Sequence, residues 1–281
     1  MILRIISTFV LIGLALSAYI LFARPYQLRW GATDEEVARP MPGDELDPTP
    51  TFLSTRAITI QGTPEEIWPW LIQMGYGRAG FYGYDILENI GSPRGMASAD
   101  RILPEFQNFK VGDQVPISPV ANQVFYSIEP NQYLVWAGET GEHPGGFTWA
   151  LYPIDGKHTR LVSRIRWSHH WAQLSVLPLD LFTEFTDHLA VRKVLEGIKN
   201  KVEGHPELAV LTNLEFFTFV AVFLIFVAAI VLTLLHEPTL KTGLAGLAAG
   251  GAWLVIWYAP MPVWSRIIMA VLIVLGLFVA F

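Results

Sequence analysis

Thr55–Ile90 reads TRAITIQGTPEEIWPWLIQMGYGRAGFYGYDILENI, and a change of period inside it decides how the domain begins. Arg56–Gln61 alternates branched apolar with polar residues, the period of a half-buried strand. The pattern then becomes helical. Thr63 suits an N-cap, Pro64 the first helical position, and Glu66 lies three residues after the cap, which completes a capping box. Ile67, Trp68, Trp70, Leu71 and Met74 follow, with enough apolar bulk to line a core or a cavity. Pro69 falls near the first turn, where its missing N–H costs least. A second short, aromatic-rich helix is expected before Ile90.

Working outward, Lys110-Val111-Gly112-Asp113 turns into a strand over 113–118. Strands over 122–128 and 132–137 are joined by Glu129-Pro130-Asn131, and Gly145-Gly146 opens another over 147–154. Asp155-Gly156 is a two-residue hairpin signal into a strand over 158–167. Strands in series with few helices between them argue for an antiparallel meander. Residues 180–203 then read as one long amphipathic helix, with Leu181, Phe185, Leu189, Val194, Leu195, Ile198 and Val202 as its apolar stripe. Gly204 and Pro206 supply the stop.

This order of elements, together with GRAGFYGYDILENI (77–90), SADRILPEFQ (98–107), KVGD (110–113) and VRKVLEGIKNKVE (191–203), resembles the SRPBCC or START-like superfamily, the polyketide cyclase/dehydrase-like and Bet v 1-like proteins, and within it a membrane-associated subgroup. The resemblance covers roughly residues 52–203. It implies an α+β helix-grip fold, a curved antiparallel sheet around a long C-terminal helix with an apolar cavity between them. It carries no reaction, since the superfamily shares no catalytic residue.

The chain is 281 residues long, 52% hydrophobic and 16% charged. The apolar excess is concentrated in an uncharged run over 5–23 and in further runs over 216–235, 243–259 and 263–281. Each approaches the ~20 residues that span hydrocarbon. The expected organisation is therefore a transmembrane helix over 1–23, an acidic proline-rich linker over 24–51, a helix-grip domain over 52–205, and about three transmembrane helices within 214–281. The fourth run spans only if Arg266 snorkels or the helix starts earlier. A cleaved signal peptide is the rival reading of the first run, through Leu16-Ser17-Ala18, but the apolar stretch continues to Ala23. Lysine and arginine asymmetry at the junctions points to a multi-pass protein of the cell membrane with a cytoplasmic globular domain.

There is no cysteine, which excludes disulfides, thiol nucleophiles and cysteine-ligated zinc. A net charge of −6 offers no basic field for nucleic acid. His169-His170 and His188 lack metal-ligand spacing, so no metal and no cofactor is expected. There is no G-x-S-x-G elbow, and Gly75, Gly77 and Gly80 follow a helix rather than a strand, which rejects a dinucleotide fingerprint.

Tyr82, Tyr84, Asp85 and Glu88 bring two phenols and two carboxylates to the second short helix. They read either as polar groups at a cavity mouth or as a helix cap, a solvated acid and packed rings. Arg101 and Glu105 read as a functional loop or a surface pair. Arg160, Arg164 and Arg166 share one strand face; they either keep the outer sheet face soluble or hold it near anionic headgroups. Trp68, Leu71, Tyr82, Tyr84, Trp136, Trp149, Phe185 and Leu189 are the expected walls of the cavity. The first functional expectation is a membrane-anchored domain that binds an apolar or amphiphilic small molecule, such as a membrane lipid. The alternatives are a cyclase- or dehydratase-type enzyme using Tyr82, Tyr84, Asp85 or His188, and a non-catalytic assembly or sensor subunit.

Overall fold

A computed structural model describes residues 17, 19–138, 145–168, 177–205, 208–235, 248, 250–252, 255–256, 259 and 261–280. The chain forms two compact units, one of Pro25–Ala209 and one of Met1–Arg24 with Val210–Phe281.

The first unit is α+β and consistent with a helix grip. Short helices α1 (Arg24–Leu28) and α2 (Asp34–Ala38) precede β1 (Phe52–Gln61), α3 (Pro64–Ile72) and the single turn α4 (Asp85–Glu88). Strands β2 (Gln114–Ser118), β3 (Ala121–Glu129), β4 (Tyr133–Gly138), β5 (Gly145–Pro153) and β6 (His158–Trp167) follow, and then the long helix α5 (Leu177–Glu203). The sheet order is β1-β6-β5-β4-β3-β2 with every pairing antiparallel, so the meander β2–β6 is closed on one side by β1. Thr63 and Glu66 form the capping box of α3, with the Thr63 amide donating to Glu66 Oε2 at 2.8 Å.

Strand alternation gives the sheet two different faces. Phe52, Ile60, Phe125, Leu134, Trp136, Trp149, Leu151, Leu161 and Ile165 join one core with Ile67 and Leu71 of α3 and Val191, Val194, Leu195 and Ile198 of α5. This is the inner face, on which α5 lies. Gly197 sits where α5 meets the Tyr82 backbone, and a Cβ there would collide with the Tyr82 carbonyl oxygen.

The outer face is covered by the acidic segment before β1, which docks as a strap. Met41 packs with Ala57, Ala150 and Val162 in a second small core. The three arginines of β6 hold the strap along its length. Arg160 grips Glu36 with Nε at 2.6 Å from Oε1 and Nη2 at 2.9 Å from Oε2. Arg164 donates to the carbonyls of Glu36, Val37 and Arg39 and to Asp44 Oδ2. Arg166 reaches the Asp47 carbonyl at 2.5 Å. Of the two sequence readings of these arginines, neither applies: they are occupied by the chain itself.

The second unit corrects the expected fold class and localisation. Among the described residues no helix is long and apolar enough to cross a membrane, so the transmembrane helices and the multi-pass placement with a cytoplasmic domain lose their support. In α6 (Ala209–Leu235), Thr212, Asn213, Glu215 and Thr218 occupy the first part, and only fourteen residues separate Thr218 from Thr233. The helix α7 (Val263–Ala280) is 18 residues long and carries Arg266, which is buried and ion-paired with Glu215. A span needs ~20 continuous, predominantly apolar residues. The expected runs over 5–23 and 243–259 lie largely outside the described residues.

Candidate functional site: the inner face of the sheet

Register places a polar patch inside the core. Arg56 of β1 lies opposite Ser163 of β6, and Ser163 lies opposite Trp149 of β5. One row along, Ser54 faces Ile165, Ile165 faces Phe147, and Phe147 faces Trp136 of β4. Ser54, Arg56, Trp136, Trp149 and Ser163 are each no more than 2% exposed. Among the described residues, Ser54 Oγ, Arg56 Nη2, Trp136 Nε1, Trp149 Nε1 and Ser163 Oγ have no hydrogen-bond partner. Leaving a buried polar group unsatisfied costs about 1–3 kcal/mol, so five on one face need a physical account. The indole and guanidinium groups can only donate, and the hydroxyls can do either, so the patch is complementary to acceptor oxygens. The indoles of Trp136 and Trp149 are 5.9 Å apart between ring centroids and form its apolar floor.

Helix α5 faces this patch with an unusual stripe. Glu184, His188, Val191, Leu195 and Ile198 are all buried and follow the spacing of one helix face, so its first half is polar. Asp187 Oδ2 accepts from Arg56 Nη1 at 2.7 Å, and Arg56 Nε donates to the Gln27 carbonyl at 2.8 Å. His188 Nδ1 lies 3.1 Å from the same carbonyl, which can only accept, so the proton is on Nδ1 and Nε2 is the acceptor. Burial, reinforced by the Arg56 and Arg192 charges, holds His188 well below the ordinary histidine range and therefore neutral.

The residues expected at the cavity mouth are structural in their contacts. Tyr82 has φ 63° and is buried; its hydroxyl donates to the Trp70 carbonyl at 3.1 Å and accepts from Gln73 Nε2 at 2.8 Å. Burial pushes its phenol far up. Tyr84 is buried with Lys193 Nζ 5.8 Å from its ring centroid. Asp85 does not cap α4 but ties down a loop, accepting from the Ser98 amide at 3.1 Å, Ser98 Oγ at 2.6 Å and Asn89 Nδ2 at 3.0 Å.

Glu88 folds back to accept from the Gly83 amide at 3.1 Å, and a side chain at position 83 would strike its carboxylate. Burial pushes the Glu88 carboxyl up to about 8. A raised carboxyl binds its proton in the folded state first, so its contribution is present below the unfolded value of 4.5 and is lost as pH rises through about 8. Glu88→Gln is accordingly expected to gain stability relative to wild type as pH goes from 5 to 8.5. Urea unfolding at the two pH values measures this; an unchanged gap would mean Glu88 is ionised throughout.

Of the other expected wall residues, Leu71 is fully buried in the main core and Trp68 is packed at its edge. Phe185 and Leu189 are half-buried and belong to neither core. Arg101 does not pair with Glu105, which instead binds Arg94 at 3.0 Å. His169 and His170 lie outside the described residues. Among the described residues no group of three or more His, Asp or Glu is placed to hold a metal ion.

Sequence reading missed Ser54, Arg56, Ser163 and Glu184. The signal was phase: Ser54 and Arg56 share the strand phase of Phe52, Ile58 and Ile60, and polar residues in the apolar phase of a strand mark either a satisfied core group or a site.

No protein-family model matches the chain, and no curated protein matches it in sequence. Solved structures similar to it include a conserved protein of unknown function from Enterococcus faecalis, 14% identical with TM-score 0.34, covering 59% of this chain and 84% of that one. A polyketide-cyclase-like protein from Corynebacterium glutamicum is 12% identical with TM-score 0.33, covering 54% of this chain and 91% of that one. A protein from Arthrobacter aurescens is 17% identical with TM-score 0.33, covering 62% and 95% respectively. These likenesses are faint, and the helix-grip reading rests on the strand order and on α5 packed across the inner face.

Proposed function

We propose that the Pro25–Ala209 unit binds an apolar small molecule bearing hydrogen-bond acceptor oxygens, held between the inner sheet face and α5. The observation that carries this is the cluster of unpartnered buried donors and hydroxyls on Ser54, Arg56, Trp136, Trp149 and Ser163. An acceptor oxygen lodged there turns each cost into a hydrogen bond, while the tryptophan rings and Phe147 supply apolar contact.

Methyl dodecanoate, an ester with no donor, is a suitable probe for calorimetric titration of the full chain. Saturable uptake is expected. Trp149→Phe removes one donor but keeps a ring, so it should weaken uptake by about five- to tenfold, and the void left by the smaller ring should cost about 1–2 kcal/mol of stability. Absence of saturable uptake by the wild type, or unchanged uptake by Trp149→Phe, would refute the assignment.

An acid–base enzyme is the second reading, and His188 favours it. A neutral, buried imidazole oriented through Nδ1, beside an Arg56–Asp187 pair, has the form of a general base.

A further inference from the structure

A second buried guanidinium lies at the other side of the inner face. Arg78 is 8% exposed and donates through Nη2 to the Ile72 carbonyl at 2.6 Å. Its Nε and Nη1 have no hydrogen-bond partner, and no ion pair joins it to a carboxylate among the described residues. Asp113 influences it only through space. Phe109 covers the guanidinium at 3.8 Å from its ring centroid, with Phe106 and Phe125 each at 5.5 Å. Cation–π contact with three rings lowers the cost of burial but satisfies neither free N–H edge.

Arg56 and Arg78 differ in charge balance. Arg56 is neutralised by Asp187 at 2.7 Å, so its remaining donor suits a neutral acceptor. Arg78 has no ion-pair partner among the described residues, and burial lowers its affinity for the proton to about 10. The two are linked by a run of rings on the inner face. Phe125, against Arg78, is 6.5 Å from Trp136, and Trp136 is 5.9 Å from Trp149, which neighbours Ser163 and Arg56 in register.

From this arrangement we infer that the ligand is an anion, an elongated amphiphile whose carboxylate or comparable acid group is received by the free Nη1 of Arg78 while its body lies along Phe125, Trp136 and Trp149. The inference rests on the ligand-binding reading above and adds the sign of the charge and the end that carries it. Nη2 is taken by the Ile72 carbonyl, so the side-on Nε/Nη2 fork is closed and the acid oxygen is met by a charge-assisted hydrogen bond from Nη1.

Dodecanoate and methyl dodecanoate share the same chain and differ in the charge and one ester methyl group, and are titrated into the full chain under identical conditions. A charged acceptor gains more from a buried guanidinium than a neutral one, so wild type should take up the acid about tenfold more tightly than the ester. Arg78→Gln should reduce that ratio to within about twofold while leaving ester uptake in place, and Arg78→Lys should retain part of it. Equal uptake of acid and ester by the wild type overturns the anion assignment and leaves the ligand-binding reading standing. A tenfold ratio that survives in Arg78→Gln also overturns it. Failure of both probes to bind the wild type overturns both readings. Should Arg78→Gln fail to fold, the wild-type ratio and its decline in Arg78→Lys decide the matter.

Discussion

Arg164→Met is expected to detach the strap from the outer sheet face and to cost about 3–5 kcal/mol, roughly a fifth or more of the stability of an ordinary domain. The side chain is 3% exposed, and its guanidinium uses Nε on Thr55 Oγ1 at 3.0 Å, Nη1 on the Arg39 carbonyl at 2.7 Å and Asp44 Oδ2 at 2.9 Å, and Nη2 on the Glu36 and Val37 carbonyls at 2.8 and 3.0 Å. Methionine restores the packing volume and none of these bonds, so buried carbonyls of the strap lose their donor. Arg164→Lys should recover only part, because an ammonium cannot reach acceptors on both sides of a fork. Glu36 adds a pH signature. Burial opposes its ionisation, but the Arg160 hydrogen bond and the Thr33 amide hold the carboxyl below its ordinary 4.5. That contribution is present above 4.5 and is lost as pH falls through the lower folded value. Urea unfolding of the full chain measures the loss, and limited proteolysis between 25 and 51 reports strap release. A loss below about 1 kcal/mol with unchanged proteolysis would show that the strap contributes little.

The strap also shows what the sequence made legible and what it did not. Its acid-rich, proline-rich composition looks like a linker, since it offers little apolar surface of its own. The partners that order it are 120 or so residues away on β6, and no local pattern links Glu36 to Arg160 or Asp44 to Arg164. The sheet was more legible. Strong hairpin chemistry at Asp155-Gly156 and the arginines at 160, 164 and 166 set against Leu161, Ile165 and Trp167 fix both the turn and the two faces, and β6 occupies that range. The capping box at Thr63 is equally local and is present. On the long helix, the inward stripe begins with Glu184 and His188, so an apolar-only count slides to Phe185 and Leu189, one position away. The polar residues of the inner face are those that a periodicity argument discards, and they compose the candidate site.

Asp187→Ala is expected to cost about 3–5 kcal/mol, and adding Arg56→Met to it should restore most of that loss. Arg56 is fully buried and the Asp187 side chain is 7% exposed, so removing the acid alone leaves an uncompensated guanidinium under α5. Removing both leaves no buried charge, with methionine filling most of the Arg56 volume, and the Gln27 carbonyl keeps the His188 Nδ1 proton as a donor. The cycle therefore separates the worth of the pair from the penalty of an orphaned charge. His188 gives an independent reading. Burial is the first cause of its depressed pKa and the Arg56 charge the next, so the double variant should titrate at higher pH than wild type. Because the folded histidine stays neutral where the unfolded one binds a proton, wild-type stability falls as pH drops below 6.5. That fall should be shallower in the double variant. Imidazole chemical shifts followed by NMR, beside urea unfolding from pH 5 to 8, test both statements. A histidine titration unmoved by Arg56→Met would mean that burial alone keeps it neutral and that Arg56 serves only the ligand face.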